Sequence, residues 1–297
     1  MLEADVYMDP QPYLRHQASG AVWHRKISAA LRDMQFEGCR SDACLFVRRS
    51  QGPVFLPLYV DGIIVSSRSR AASIEAKAQL AARFTIKDMG GVRMLLGIRV
   101  EYDREHGTLH LGQASFIARL CERLGRSDAT TVRSPSVLGQ FVTESSGNND
   151  MQHHSSFREL LHAPVQTFVL PLDAVRSTSR NLGRITCSQP SRVLRFLKGA
   201  TDVGIVFECE YRRGWVPHPS VDAGRSSDVA IRRSTSEVIV SVSGSPVIFR
   251  SKRQQSVALS SVEVEYMALS SCAHDVIWLR QLLDSSVRSS QTLPLSR

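Results

Sequence analysis

Three apolar runs, Val54-Phe55-Leu56, Leu58-Tyr59-Val60 and Ile63-Ile64-Val65, crowd around Asp61-Gly62. Asp-Gly between apolar runs is a strong hairpin signal, because a type I′ turn needs positive φ at both central residues. The pattern predicts two strands joined there. Helical spacing comes before and after them. Trp23, Ile27, Ala30, Leu31 and Met34 predict a helix from Trp23 to Phe36, ended by Gly38. Ile74, Ala78, Ala81 and Phe84 predict the buried face of a helix from Ala71 to Phe84. Met94 to Val100 and Thr108 to Leu111 predict a second hairpin around Glu105-His106-Gly107, followed by a short helix from Ser115 to Leu124.

Residues 134–156 are polar and rich in breakers, with Ser145-Ser146-Gly147-Asn148-Asn149-Asp150 at their centre, and predict a linker. In the last third, Glu237 to Val242 and Ser245 to Phe249 predict strands joined near Gly244. Ser260 then opens a long helix, with Ser260 and Glu263 spaced as a capping box and Val262, Tyr266, Leu269, Ala273, Val276 and Ile277 as its apolar stripe. From Ser285 the tail is Ser-rich, which predicts fraying. There is no internal repeat.

The 297 residues leave room for two domains, and 42% hydrophobic with 22% charged residues is an ordinary globular balance. Lys plus Arg number 37 against 28 for Asp plus Glu, a net charge of +9, which points to a polyanionic partner. Arg176, Arg180 and Arg184 recur every four residues, and Arg192, Arg195 and Lys198 continue the basic character. That stripe fits a solvated face or a phosphate contact. The six cysteines are scattered without a C-x-x-C pair, which disfavours zinc and suits reduced thiols. The start Met1-Leu2-Glu3-Ala4-Asp5 has no signal-peptide pattern, and no apolar run reaches the roughly 18 residues of a membrane span. The expectation is a soluble intracellular protein, cytoplasmic or nuclear.

Five segments, in order, make the chain resemble the reverse transcriptase and ribonuclease H part of copia-type LTR retrotransposon polyproteins. Val6-Tyr7-Met8-Asp9 resembles the family's "iYMeqP". Asp42-Ala43-Cys44-Leu45-Phe46 with Tyr59-Val60-Asp61 resembles "D-x-C-L-F … YVDD". Phe84, Ile86-Lys87-Asp88-Met89-Gly90 and Leu95-Leu96-Gly97-Ile98 resemble "F-x-mkDlG … fLGi". Val193 to Ala200 resembles "LRYLKGT". Arg232 to Ser236, Ser251-Lys252-Arg253-Gln254 and Ser260-Ser261 with Glu263, Glu265 and Tyr266 resemble "RRSTSG … SKrQ … SS-x-EAEY". The resemblance covers nearly the whole chain.

It implies an α+β fold: a partial right-hand polymerase palm over 1–133, the linker, a thumb- or connection-like helical segment over 157–210, and the N-terminal part of a ribonuclease H-like α/β unit over 211–297. It implies RNA, DNA or RNA–DNA hybrid as partner and Mg²⁺ as cofactor. In that chemistry two Mg²⁺ ions about 3.5–4 Å apart activate the attacking oxygen and stabilise the leaving one. Such ions need several hard oxygen ligands.

The carboxylates are where the chain departs from the family. The early palm Asp belongs to a motif that would lie before Leu2. At the hairpin Asp61 stands, but Gly62 occupies the position of the second Asp. The stretch Leu14 to Trp23 is shorter than the family's. In the second unit Asp222 matches the first catalytic Asp, Gly224 replaces the second, Arg225 replaces a Trp, and Glu265 matches the helical Glu. The surviving catalytic and metal candidates are therefore Asp61, Asp222 and Glu265. The nucleic-acid candidates are Lys87, Arg176, Arg180, Arg184, Arg232, Arg233, Lys252 and Arg253. Three readings follow: a decayed retroelement fragment without polymerase or full nuclease activity, an enzyme subunit that borrows carboxylates from another chain, and a non-catalytic basic module that binds nucleic acid in a salt-sensitive way.

Overall fold

The computed structural model describes residues 2–8, 19–50, 52–59, 62–103, 105–134, 188–208, 215–224 and 233–287. The chain groups into two units, residues 1–93 with 277–297, and residues 94–276. Helices and antiparallel sheets make up both, which is an α+β composition.

In unit 1, strands β1 (Leu2–Met8), β2 (Glu37–Gly38), β3 (Leu45–Arg48), β4 (Val54–Tyr59), β5 (Gly62–Ser67) and β6 (Ile86–Gly90) form one sheet in the order β2-β3-β4-β5-β1-β6. Burial alternates with period two: Ile63, Val65 and Ser67 are buried, whereas Gly62, Ile64 and Ser66 are half-buried. The buried set faces helices α1 (Ser19–Asp33) and α2 (Arg70–Arg83). Ile27, Leu31, Ala72, Ala76 and Leu80 from the helices join Phe36, Phe46, Val54, Leu56, Ile63 and Val65 in one core.

Two helix predictions need correction. The first helix ends at Asp33, because Gln35 takes a left-handed backbone (φ 65°) and turns the chain, so that Phe36 enters the core from outside the helix and Gly38 lies in β2. In α2 the buried residues are Ala72, Ser73, Ala76 and Leu80, while Ile74 is 57% exposed. Small residues at i, i+4 let the helix approach the sheet closely, and that stripe prevails over the bulkier one. Ser69 caps α2 by accepting a hydrogen bond from the Ala72 amide at 3.3 Å.

In unit 2, β7 (Met94–Leu95), β8 (Ile98–Asp103), β9 (Thr108–Gly112) and β10 (Ile205–Glu208) form a sheet in the order β10-β9-β8-β7. Met94 to Val100 is not one strand: Leu96 and Gly97 both have positive φ and form a tight turn that pairs Leu95 with Ile98. Helix α3 (Ala114–Arg123) packs on α4 (Ser188–Gly199) through Ile117, Leu120, Cys121, Val193, Leu194 and Leu197. A separate three-stranded sheet holds β11 (His218–Gly224), β12 (Thr235–Val242) and β13 (Ser245–Arg253), with the turn at Ser243-Gly244 again at positive φ. The long helix α5 (Ser261–Val287) follows and runs on into unit 1 from Ile277. Its expected apolar stripe is also corrected. Val264, Ala268, Cys272 and Leu279 are buried, and Val262, Tyr266, Leu269 and Ile277 are exposed.

Arg48 is a buried cation of unit 1. It donates to Gln79 Oε1 at 2.9 Å and to Glu75 Oε1 at 3.4 Å, and its guanidinium lies 5.0 Å from the Phe36 ring centre. Its Nε is buried without a partner. Arg48→Ala removes the packing and both bonds and is expected to lower stability in urea unfolding by about 2–4 kcal/mol. Arg48→Met keeps the aliphatic volume and sheds the desolvated charge, so a loss of less than half as much is expected.

Candidate functional site

The antiparallel register builds a row across the six-stranded sheet. Tyr59 pairs with Gly62, Gly62 with Tyr7, and Tyr7 with Lys87. At roughly 4.8 Å per strand, Lys87 lies about 10 Å from Gly62, backbone to backbone. Leu58 and Ile63 form the next row, which belongs to the helix-covered face. The Tyr59–Gly62–Tyr7–Lys87 row therefore belongs to the face that α1 and α2 leave uncovered. Lys87 is exposed. It sits second in β6 and not in a loop. Its neighbour Asp88 faces the helices and binds Lys77 of α2 at 3.1 Å. Burial alone would raise the Asp88 pKa, but hydrogen bonds from the Gly90 amide and Lys77 outweigh it and hold the carboxyl below its usual range.

The hairpin differs from the prediction at Gly62: it pairs with Tyr59 as the first residue of β5 and has no positive φ, which a type I′ turn centred on Asp61-Gly62 would require. Val60 and Asp61 lie outside the described residues. Among the described residues, a Cβ at Gly62 would meet the Tyr59 carbonyl oxygen at 3.4 Å, an ordinary contact. The backbone thus has no need of glycine at this position.

Asp222 is exposed on β11 and pairs in register with Glu237 of β12, which pairs with Ser251 of β13. Two carboxylates therefore stand opposite each other on neighbouring strands. Glu237 is a candidate that the motifs do not single out, since its only signal in the sequence is a charged residue within an apolar strand. The adjacent row faces α5: Gln254 donates from Nε2 to Ser236 Oγ and to the Val264 carbonyl, both at 2.9 Å, and its amide binds the Ser234 carbonyl at 2.8 Å. Register thus sets Asp222 on the sheet face away from α5. Glu265 is exposed on the first turns of that helix. The capping box forms as expected on one side: Ser260 Oγ accepts from the Glu263 amide at 3.1 Å. The return bond from Glu263 goes to the Leu259 amide at 2.7 Å, one residue before the cap. The recognisable motifs around Ser234, Ser236, Gln254 and Val264 meet in a buried polar joint between sheet and helix.

The basic candidates divide. Arg176, Arg180, Arg184 and Arg232 lie outside the described residues. Arg233 is half-buried, Lys252 is exposed and Arg253 is half-buried. As strand neighbours, Lys252 and Arg253 point to opposite faces. The basic residues of α4 have a structural use: Arg192 donates to the Ser134 carbonyl at 3.1 Å, Arg195 to the Thr130 carbonyl at 2.5 Å and hydroxyl at 2.6 Å, and Lys198 to the Ala129 carbonyl at 2.9 Å and to that of Ser127. These cations pin the segment from Ser127 to Ser134. Phosphate binding would have to break those bonds.

Among the described residues no group of three or more His, Cys, Asp or Glu side chains could hold a metal. At the hairpin Gly62 brings no side-chain oxygen, and Asp61 lies outside the described residues. The described residues do not fit a pair of Mg²⁺ ions, which needs several oxygen ligands in fixed geometry. No helix among the described residues is long and apolar enough to cross a membrane.

Comparison with known proteins points the same way as the motifs. Residues 8–138 match the family described as reverse transcriptase (RNA-dependent DNA polymerase). The chain is 26% identical over 277 residues to the retrovirus-related Pol polyprotein from transposon TNT 1-94 of Nicotiana tabacum, covering 88% of this chain and 20% of that one. It is 26% identical over 269 residues to the Pol polyprotein from transposon RE2 of Arabidopsis thaliana, covering 88% and 18%. It is 25% identical over 231 residues to an uncharacterized mitochondrial protein of Arabidopsis thaliana, covering 76% and 94%. The chain spans about a fifth of the length of the polyproteins. No solved structure matches it.

Gln254→Leu keeps the side-chain volume but removes the donor that joins Ser236 to the Val264 carbonyl; a loss of about 1–3 kcal/mol is expected in urea unfolding. The double change Arg195→Ala, Lys198→Ala is expected to destabilise unit 2 by a similar amount, about 1–3 kcal/mol. Affinity for an RNA–DNA hybrid at low salt should stay within about twofold, because these cations are already engaged. A larger fall in a salt-series titration would return them to the phosphate-binding set.

Proposed function

We propose that this chain, which carries a copia-type retrotransposon reverse transcriptase region, is a polymerase and ribonuclease H remnant that has lost catalysis. In this reading residues 1–133 are a partial palm, 134–156 a linker, 157–210 a thumb- or connection-like segment and 211–297 the first part of a ribonuclease H-like unit. The reverse transcriptase family acts on nucleic acid with Mg²⁺, and RNA, DNA or their hybrid remains the partner class for this chain.

The observation that carries the reading is Gly62. It occupies a regular strand position beside the hairpin turn, where the family's second carboxylate belongs, and its backbone does not require glycine. One carboxylate at Asp61 cannot neutralise and hold two divalent ions. Asp222 and Glu265 repeat the deficit in the second unit, with Asp222 on the sheet face turned away from α5. The chain's own carboxylates therefore do not set up the two-ion geometry that phosphoryl transfer needs. Its residues still offer a surface: exposed Lys87, in register with Gly62 on the face that α1 and α2 leave free, can meet a phosphate as a point charge. A non-catalytic, salt-sensitive nucleic-acid contact on that face is compatible with the same geometry.

Primer extension on an RNA template with Mg²⁺ or Mn²⁺ is expected to show no incorporation above an Asp61→Ala variant; incorporation that depends on Asp61 overturns the reading. Gly62→Asp is expected to fold normally, changing stability by less than about 1 kcal/mol, since the added Cβ meets only an ordinary contact. It should tighten Mn²⁺ binding by on the order of tenfold, as a second carboxylate joins the first. If the unaltered chain already binds two Mn²⁺ ions as tightly as the variant, the proposed deficit is wrong.

A further inference from the structure

The last part of α5, from Ile277, belongs to unit 1. Its contacts there fall on one helical face. Trp278 Nε1 donates to the Ser41 carbonyl at 2.9 Å. Seven residues on, two turns along the same face, Ser285 Oγ shares a hydrogen bond with Cys39 Sγ at 3.0 Å. The Ser285 carbonyl accepts from Arg49 Nη2 at 3.2 Å, and the same guanidinium binds Glu37 through Nη1. A cation near a helix C-terminus also suits the helix dipole.

All of these partners lie at one place in the sheet. Glu37 belongs to β2, the two-residue edge strand, and Cys39 and Ser41 lie in the loop that leaves it. An edge strand leaves backbone groups unpaired, and proteins commonly cover such edges with a helix or loop. Leu279 of this segment is buried, and the polar bonds beside it are made at part-exposed side chains: Trp278 is 42% exposed and Arg49 is exposed. Contacts of that kind belong to the low end of local opening free energies.

We propose that the α5 segment from Ile277 to Ser285 is a detachable strap over the β2 edge of unit 1, which opens locally without unfolding the sheet and controls access to Cys39. The thiol is suited to report the event. Burial alone would raise its pKa, but hydrogen bonds from Ser285 and from Ser41 and Asp42 outweigh burial and hold it below the usual thiol value. Release of the strap removes one of the bonds that lower the pKa, but those from Ser41 and Asp42 remain, and the sulfur is uncovered to reagent. Two built-in controls exist: Cys44 is exposed and Cys121 is buried in the α3–α4 core.

The test is alkylation of the full-length chain with iodoacetamide, with each cysteine followed by peptide mass spectrometry. In the unaltered chain Cys39 should react more slowly than Cys44. Trp278→Ala with Arg49→Ala should accelerate Cys39 by roughly tenfold, the scale of losing a hydrogen-bonded contact, with Cys44 and Cys121 unchanged. If Cys121 becomes reactive, the variant has unfolded generally, and the milder Ser285→Ala decides: acceleration of Cys39 alone supports the strap. A Cys39 that reacts at one rate in the unaltered chain and in every folded variant overturns it.

Discussion

Residues paired across an antiparallel ladder share a face, so the pairing of Leu58 with Ile63 commits a whole row of unit 1 to the helix-covered side. The next row, Tyr59–Gly62–Tyr7–Lys87, is thereby committed to the opposite side. A slip of one residue would bury Lys87 and expose Ile63 and Val65. The helices enforce the choice, because the buried face of α2 is small residues and Leu80, and the buried charge there, Arg48, is bonded to Gln79 and Glu75 and stacked on Phe36. The candidate site thus inherits its placement from packing on the far side of the sheet.

The same logic separates ancestry from chemistry in unit 2. The most recognisable motifs surround Gln254, whose side chain ties Ser236 on β12 to the Val264 carbonyl on α5. A buried amide with two short bonds is a structural joint, and a buried polar group left without its partner is costly. Those motif positions therefore serve the packing of sheet against helix. Asp222 and Glu237 face each other across strands, an arrangement that favours neither carboxylate and creates no three-ligand site among the described residues.

Basic residues follow a parallel course. From composition, a net charge of +9 suggests a polyanion partner. Three of the cations that suggested a phosphate-binding stripe, Arg192, Arg195 and Lys198, instead satisfy backbone carbonyls between Ser127 and Ser134. Long cationic side chains are well suited to that work, since each carries several donors. Lys87 is different. It protrudes from a regular strand on the face that α1 and α2 leave free, with its position fixed by register.

The strands flanking Asp61-Gly62, the β8–β9 and β12–β13 hairpins, helices α1, α2, α3 and α5, the α+β composition, the capping serine Ser260 and the family resemblance were legible in the residues, because local propensity, turn chemistry and motif order act over short stretches of chain. Tertiary structure alone decided which stripe of each helix is buried. Ala72, Ala76 and Leu80, and Val264, Ala268 and Cys272, prevail over bulkier stripes because close approach to a sheet rewards small side chains. It alone put Gly62 in a strand opposite Tyr59, split Met94 to Val100 at Leu96-Gly97, and assigned the α4 cations to carbonyls distant in sequence. The buried helix stripes and the α4 cations depend on partners far along the chain, and pairing across that distance is settled by packing, which no local pattern encodes.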